Sequence, residues 1–108
     1  MGLSSEESLL ALKPESALRS RSDRLYVRAL EARSLGKNIQ ATDILSELIA
    51  LNQHYDPAYA LLGILSLDAG EPDLALEYLD QALLLNPLDS AGLCNKGNAL
   101  RDIGRYGE

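Results

Sequence analysis

Cysteine is almost absent from this chain of 108 residues, in which Cys94 is the only one. A lone cysteine excludes an internal disulfide framework and any zinc site built on cysteine pairs. It also points to a reducing compartment, so we expect the protein to be cytoplasmic. Histidine is equally scarce, because His54 is the only one in the chain.

The chain also has little positive charge and no long apolar run. Ten Lys and Arg against 16 Asp and Glu give a net charge of −6, the wrong sign for binding a phosphate backbone. No apolar run approaches the length of a membrane-spanning helix, and the acidic first residues do not fit a secretory signal. We therefore expect neither nucleic acid nor membrane as a partner. The 46% hydrophobic content suits one small globular domain.

An internal repeat is the most informative feature that is present. When the chain is aligned on itself, 22–55 fall on 56–89, and 90–108 begin a third copy. The coinciding residues are Gly36/Gly70/Gly104, Ala29/Gly63/Gly97, Ala41/Ala75, Leu45/Leu79, Leu51/Leu85 and Asn52/Asn86. A fixed period of this length is typical of stacked repeat proteins.

Within each copy the apolar residues follow helical spacing twice, on either side of a glycine. Gly70 fits the residue just past a helix end, and Pro72 fits the first turn of the next helix. The pattern predicts an all-α fold with two helices per repeat. The predicted helices cover about 23–35, 38–51, 57–69, 72–85 and 90–103.

Small residues are expected wherever the two helices of a repeat cross. Ala29, Gly63 and Gly97 occupy equivalent positions in the three copies. We predict that each faces Ala41, Ala75 or their neighbours, because small side chains let two helix backbones approach closely. A leucine at Gly63 is therefore predicted to destabilise the fold by roughly 1–3 kcal/mol or more.

The middle copy resembles the tetratricopeptide repeat (TPR) family. The resemblance is carried by Tyr59-x2-Leu62-Gly63-x2-Ser66, Ala75-x3-Leu79 and Pro87. It covers about 22–108 and suggests a bacterial TPR protein or a fragment of a longer array. Membership would imply an α-solenoid with a right-handed superhelix, built from repeats 22–55 and 56–89 and a partial repeat or capping helix at 90–108. Residues 1–21 are interpreted as an N-terminal capping helix.

The resemblance also implies where a ligand would bind. TPR proteins build a concave groove from one face of each first helix. Carried over position by position, the concave groove comprises Tyr26, Leu30, Arg33 and Ser34; Ala60, Ile64, Leu67 and Asp68; and Cys94, Asn98, Arg101 and Asp102. The implied function is a protein-protein interaction scaffold that binds a peptide or helix of another protein.

Catalytic motifs are weak. The segment Gly92–Gly97 resembles a phosphate-binding loop only superficially, because it falls in a predicted helix and not after a strand. His54 and Cys94 lack an orienting third group, and no metal-ligand spacing appears. We therefore predict no enzyme activity, no cofactor and no bound metal.

Two alternatives to a peptide-binding groove stay open. Residues 38–95 contain acidic side chains but no lysine or arginine, whereas Arg21, Arg24 and Arg28 share one helix face. Such asymmetry fits ordinary solvated surfaces, or a self-associating structural repeat steered by complementary charge. The other alternative is an accessory region of a larger protein, such as a bacterial glycosyltransferase or sulfotransferase. Residues 97–100 and 104–106 resemble the repeats of those enzymes.

Overall fold

The computed structural model describes residues 14–106, and this part of the chain forms five α-helices and no β-strand. The helices are α1 (Pro14–Ser34), α2 (Asn38–Leu51), α3 (Asp56–Asp68), α4 (Pro72–Leu85) and α5 (Ser90–Tyr106). Each of the five predicted helices is therefore present, and the all-α fold class is confirmed.

Two glycines reverse the chain after α1 and α3 with the same backbone geometry. Gly36 and Gly70 have φ values of +75° and +76°, a region that a residue without Cβ enters at little cost. The N–H one residue beyond each glycine donates at 2.8 Å to the carbonyl oxygen five residues earlier. This is the hydrogen bond of a Schellman motif, which satisfies a carbonyl group at the helix end.

The two asparagines at equivalent positions of the repeat make equivalent hydrogen bonds. The side-chain amide of Asn52 donates to Ser22 Oγ at 3.2 Å, and that of Asn86 donates to Asp56 Oδ2 at 3.4 Å. Each bond joins the end of a second helix to the first helix of its own repeat. Ser22 is fully buried, and its hydroxyl also donates to the Leu18 carbonyl at 2.8 Å.

The helices form an elongated array. Helices that are adjacent in sequence pack against each other throughout, and α3 also contacts α5. The described part measures 70 × 29 × 19 Å with a radius of gyration of 16.8 Å, against about 13 Å for a globular domain of similar length. Stacked hairpins, and not one compact bundle, account for this shape.

The core divides into a large cluster and a small one. The large cluster joins α1, α2 and α3 through Ala29, Ala32, Ala41, Ile44, Leu45, Leu48, Tyr55, Ala58, Leu61, Leu62 and Leu65. The small cluster joins α4 and α5 through Ala75, Leu79 and Ala99. The repeated pairs Ala41/Ala75 and Leu45/Leu79 are all fully buried, so the internal repeat in the sequence is also a repeat in the packing.

The close crossing predicted at Gly63 is confirmed. A Cβ on this residue would lie 2.6 Å from Leu79 Cγ and 3.4 Å from the carbonyl oxygen of Ala75. Ala29 is fully buried at the equivalent position of α1. The prediction is wrong for Gly97, where a Cβ would meet nothing within 4 Å, because no described helix lies across that face of α5.

The first and last helices are longer than predicted. The described chain is already helical at Pro14, well before the predicted start at 23, because no proline or glycine interrupts 15–35. The proposed boundary between 21 and 22 thus falls inside α1, and the division into domains stays a prediction. The capping-box residues Ser4 and Glu7 lie outside the described residues.

Gly104 does not repeat the turn made by Gly36 and Gly70. Helix α5 continues through it to Tyr106, and among the described glycines only the two earlier ones have positive φ. Glycine in a helix costs about 1 kcal/mol relative to alanine, which is too little to end a helix by itself.

Candidate functional site

The predicted concave groove is distributed over the three first helices, α1, α3 and α5. The structure brings part of it together where α1 and α3 end. Arg33 Nη2 of α1 lies 3.5 Å from Asp68 Oδ2 of α3. Leu30, Arg33, Ser34 and Asp68 line one shallow recess, together with Gly36 from the turn after α1 and Asn38 at the start of α2.

The Arg33–Asp68 ion pair is accessible to solvent. The two side chains are 40% and 49% exposed, and an ion pair in such a setting contributes about 1 kcal/mol or less to stability. Both charges can therefore exchange partners with a ligand at small cost. Leu30 is 38% exposed beside them, which supplies apolar surface at the same recess.

Two other predicted groove residues of α3 lie on the same helix face as Asp68, nearer the start of the helix. Ile64 lies one turn before Asp68 on the same helix face, and Ala60 lies one turn before Ile64. Both are half-buried. Leu67 behaves differently, because it is partly buried against the small core cluster of Ala75, Leu79 and Ala99. Its packing gives Leu67 a structural role in holding α3 against α4 and α5.

The predicted groove residues of α5 are mostly polar. Cys94 and Arg101 are exposed, and Asn98 and Asp102 are half-buried. Arg101 Nη2 donates to Asn98 Oδ1 at 2.8 Å along the same helix face. No hydrogen bond or ion pair in the described part of the chain joins these four side chains to the recess of Leu30, Arg33 and Asp68.

Tyr26 takes part in an aromatic contact that the sequence did not reveal. Its ring lies 5.9 Å from that of Tyr55, with the two planes tilted by 60°. Burial is the main cause that raises the pKa of the Tyr26 hydroxyl, and the nearby Arg33 opposes the rise. Tyr26 therefore packs against Tyr55, just before α3, and is partly buried against the large core cluster.

Tyr55 and Asp23 are residues that sequence reasoning missed. The Tyr55 hydroxyl donates a hydrogen bond to Asp23 Oδ1. Burial first, and this hydrogen bond second, raise the pKa of Tyr55 well above its usual range. No periodic signal marks the pair, because the positions equivalent to Tyr55 hold Arg21 and Asp89.

Five of the nine acidic residues between positions 38 and 95 lie on α2 and α4. Asp43, Glu47, Asp73 and Glu77 are exposed, and Asp80 pairs with Lys96 Nζ of α5 at 2.8 Å. On α1, Arg24 and Arg28 are exposed as well. Docking of the basic surface on the acidic one of a second copy stays a prediction.

The described part of the chain forms neither a metal site nor a phosphate-binding loop after a strand. Within the described residues, no group of three or more His, Cys, Asp or Glu side chains is placed to hold a metal ion. The segment Gly92–Gly97 lies inside α5, so it cannot wrap a phosphate as a loop after a strand does. Across 14–106, no helix has the length and apolar character needed to span a membrane.

Comparison with known proteins places the fold. The chain is similar to MamA, a helical repeat protein of the TPR type, in its crystal structure, with a TM-score of 0.73 and 26% sequence identity. The match covers 77% of this chain and 45% of MamA. The chain thus corresponds to less than half of that protein. No protein-family model matches the sequence, and no curated protein matches it significantly.

The similarity supports a TPR-like helical repeat. It agrees with the repeated glycine turns at Gly36 and Gly70 and with the close crossing at Gly63. The fold favours a protein-binding role in general terms.

Proposed function

We propose that this chain is a non-catalytic binding module that holds a peptide or helix of another protein in its concave groove. The observation that carries the proposal is the recess at the ends of α1 and α3. It combines an exposed leucine, Leu30, with the accessible ion pair of Arg33 and Asp68. Apolar anchors supply most of the affinity for a peptide, and flanking charges fix its orientation.

The chemistry of the recess indicates the chemistry of the ligand. Leu30 in the recess, and Ile64 one turn before Asp68 on α3, offer apolar surface for one or two anchoring side chains of an amphipathic helix or a short extended peptide. Arg33 and Asp68 carry opposite charges, so a ligand with one acidic and one basic residue beside its apolar anchor replaces the ion pair without leaving either charge unpaired. A ligand of one sign only would leave one of these two charges without a partner.

The test is a peptide selection followed by affinity measurements. Short peptides are selected from a displayed random library with the intact chain, and the enriched sequences are synthesised. Their affinity is then measured for the Leu30→Glu, Ile64→Glu double variant. We expect a loss of at least about tenfold, which corresponds to the removal of one well-packed apolar contact.

A matched control separates the groove from a general effect of charge. The Leu84→Glu, Leu88→Glu variant adds the same two negative charges at side chains that are 74% and 90% exposed elsewhere. We expect this control to bind the selected peptides like the parent chain. Equal binding by the parent chain and the groove variant, with circular dichroism showing both folded, would contradict the proposal.

A further inference from the structure

A cleft opens between α2 and α4, outside the concave groove, and α3 forms its floor. The residues that line it include Ile39 and Thr42 of α2, Leu62 and Leu65 of α3, and Leu74 and Tyr78 of α4. We call it the α2–α4 cleft. It has Asn38 in common with the recess of Leu30, Arg33 and Asp68. Its walls and floor come from the two complete repeats, in the middle of the described chain.

The side chains of the cleft are buried at the floor and exposed at the rims. Leu62 and Leu65 are 3% and 5% exposed, whereas Leu74 is 37% and Ile39 is 82% exposed. Ile39 begins the second helix of its repeat next to an apolar floor, and most of its side chain is in water. A ligand that covers Ile39 and enters the cleft therefore removes apolar surface from water.

The hydroxyl groups of the cleft are already engaged. Thr42 Oγ1 donates to the Asn38 carbonyl at 2.9 Å, and the lining residue Ser66 donates through Oγ to the Leu62 carbonyl at 2.8 Å. Both bonds lie within the helix that carries the hydroxyl. The walls therefore offer an apolar side chain a surface without unsatisfied hydroxyl groups, which suits an apolar anchor.

Carboxylates surround this apolar surface. Glu71 lines the cleft, Asp43 follows Ile39 by one turn of α2, and Glu77 follows Leu74 by one turn of α4. All three are exposed, and none forms an ion pair within 14–106. Lys37, directly before α2, is the basic residue nearest in sequence, because 38–95 contain no lysine or arginine. The surroundings of the cleft are therefore acidic.

We propose that the α2–α4 cleft is the docking site for a basic segment of a partner protein, in which one bulky apolar side chain lies between lysine or arginine residues. The apolar side chain packs against Ile39, Leu74 and the floor of α3. The flanking basic residues pair with Asp43 and Glu77 on the two rims. Charge complementarity selects this occupant, because an acidic segment would bring like charges together at both rims.

A second copy of the chain is a poorer occupant. Each copy has a net charge of −6, so two copies repel each other as they approach. Binding in the α2–α4 cleft is also independent of the concave groove, because the apolar residues that carry it, Ile39 and Leu74, are not groove residues. Different variants therefore test the two surfaces.

The probe is a displayed library of random short peptides. Peptides that bind the parent chain are kept, and those that also bind the Ile39→Lys variant are removed. Ile39→Lys takes away the exposed apolar rim and adds a cation that repels a basic ligand, and it should fold normally because Ile39 is 82% exposed. We expect the remaining peptides to be basic, with one bulky apolar residue among the lysines or arginines.

Calorimetry on the synthesised peptides gives the affinities. Ile39→Lys should lower the affinity at least about tenfold, and Asp43→Asn, Glu77→Gln should lower it about threefold to tenfold, as expected for two exposed ion pairs. The matched control Leu88→Lys adds the same charge at a side chain that is 90% exposed after α4. This control and the groove variant Leu30→Glu, Ile64→Glu should bind like the parent chain.

Four results would overturn the proposal. The first is that no peptide survives the removal step, and the second is that the surviving peptides are acidic or uncharged. The third is an equal loss of affinity in Leu88→Lys or in the groove variant, which would mean that the peptides bind through net charge or in the groove. The fourth is sedimentation that shows a dimer of the parent chain which Ile39→Lys dissociates, because a second copy would then be the occupant.

Discussion

The contrast between Gly63 and Gly97 allows the packing of the repeats to be measured with two single-methyl substitutions. Both glycines lie inside helices at equivalent positions of the repeat. Replacement by alanine should stabilise the helix that carries it by about 1 kcal/mol, because glycine has the greater backbone freedom in the unfolded chain. Any difference between the two variants therefore reports what the added methyl group meets in the folded state.

The structure gives the direction and size of that difference. At Gly63 the new Cβ would lie 2.6 Å from Leu79 Cγ and 2.7 Å from Leu79 Cδ2. Leu79 is fully buried, so it cannot swing aside without moving its neighbours. Overpacking of this kind costs roughly 1–3 kcal/mol. We expect Gly63→Ala to be less stable than Gly97→Ala by about that amount, and Gly63→Leu to be less stable again.

The assay is urea unfolding followed by far-ultraviolet circular dichroism, with the melting temperature as a second measure. In a domain of this size, about 1 kcal/mol corresponds to a shift of about 4–8 °C. Gly97→Ala should melt at or above the temperature of the parent chain. Equal stability of the two alanine variants would refute the close crossing of α3 and α4 at Gly63, and with it the packing of the repeat.

Two further predictions concern polar groups. Asn52→Ala removes the amide that donates to the buried Ser22 hydroxyl and should lower the free energy of unfolding by about 1 kcal/mol. Asn86→Ala should lower it by less than half as much, because the hydrogen bond of Asn86 is longer and exposed. Equal losses of the two variants in urea titrations would contradict this. Because the folded-state pKa of Tyr55 is raised, its contribution is complete below about pH 10 and is lost as the pH rises further. The stability of the parent chain should therefore fall above that pH more steeply than that of Tyr55→Phe, and parallel profiles would exclude Tyr55 as the cause.

The repeated features of the fold could be predicted from the sequence because they depend on residue types that recur. Gly70 was predicted as a helix-ending turn, the repeat extends this to Gly36, and both have positive φ. Gly104 has the same residue type in the same register, yet it is helical. The residue type in the repeat register therefore does not decide by itself whether a glycine ends a helix, because glycine also adopts helical backbone angles.

The contacts of the candidate site could not be predicted in the same way, because they do not recur from one repeat to the next. The repeat places Arg33 and Asp68 on the groove side of their helices separately, but their ion pair joins positions that are not equivalent in the repeat. The repeat register also assigns Leu67 to the groove, whereas it packs against the small core cluster. The hydrogen bond between Tyr55 and Asp23 occurs once, so periodicity has no means of revealing it.

The unequal division of the core has a consequence for how the chain opens. The cluster around α1, α2 and α3 contains eleven buried side chains, and the one shared by α4 and α5 contains three. Local opening requires less free energy where fewer apolar contacts are broken. The amide protons of α5 should therefore exchange with solvent earlier than those of α2, so that the C-terminal helix frays while the N-terminal hairpin is still intact. A ligand held by α5 would slow that exchange, and one held only by α1 would leave it unchanged.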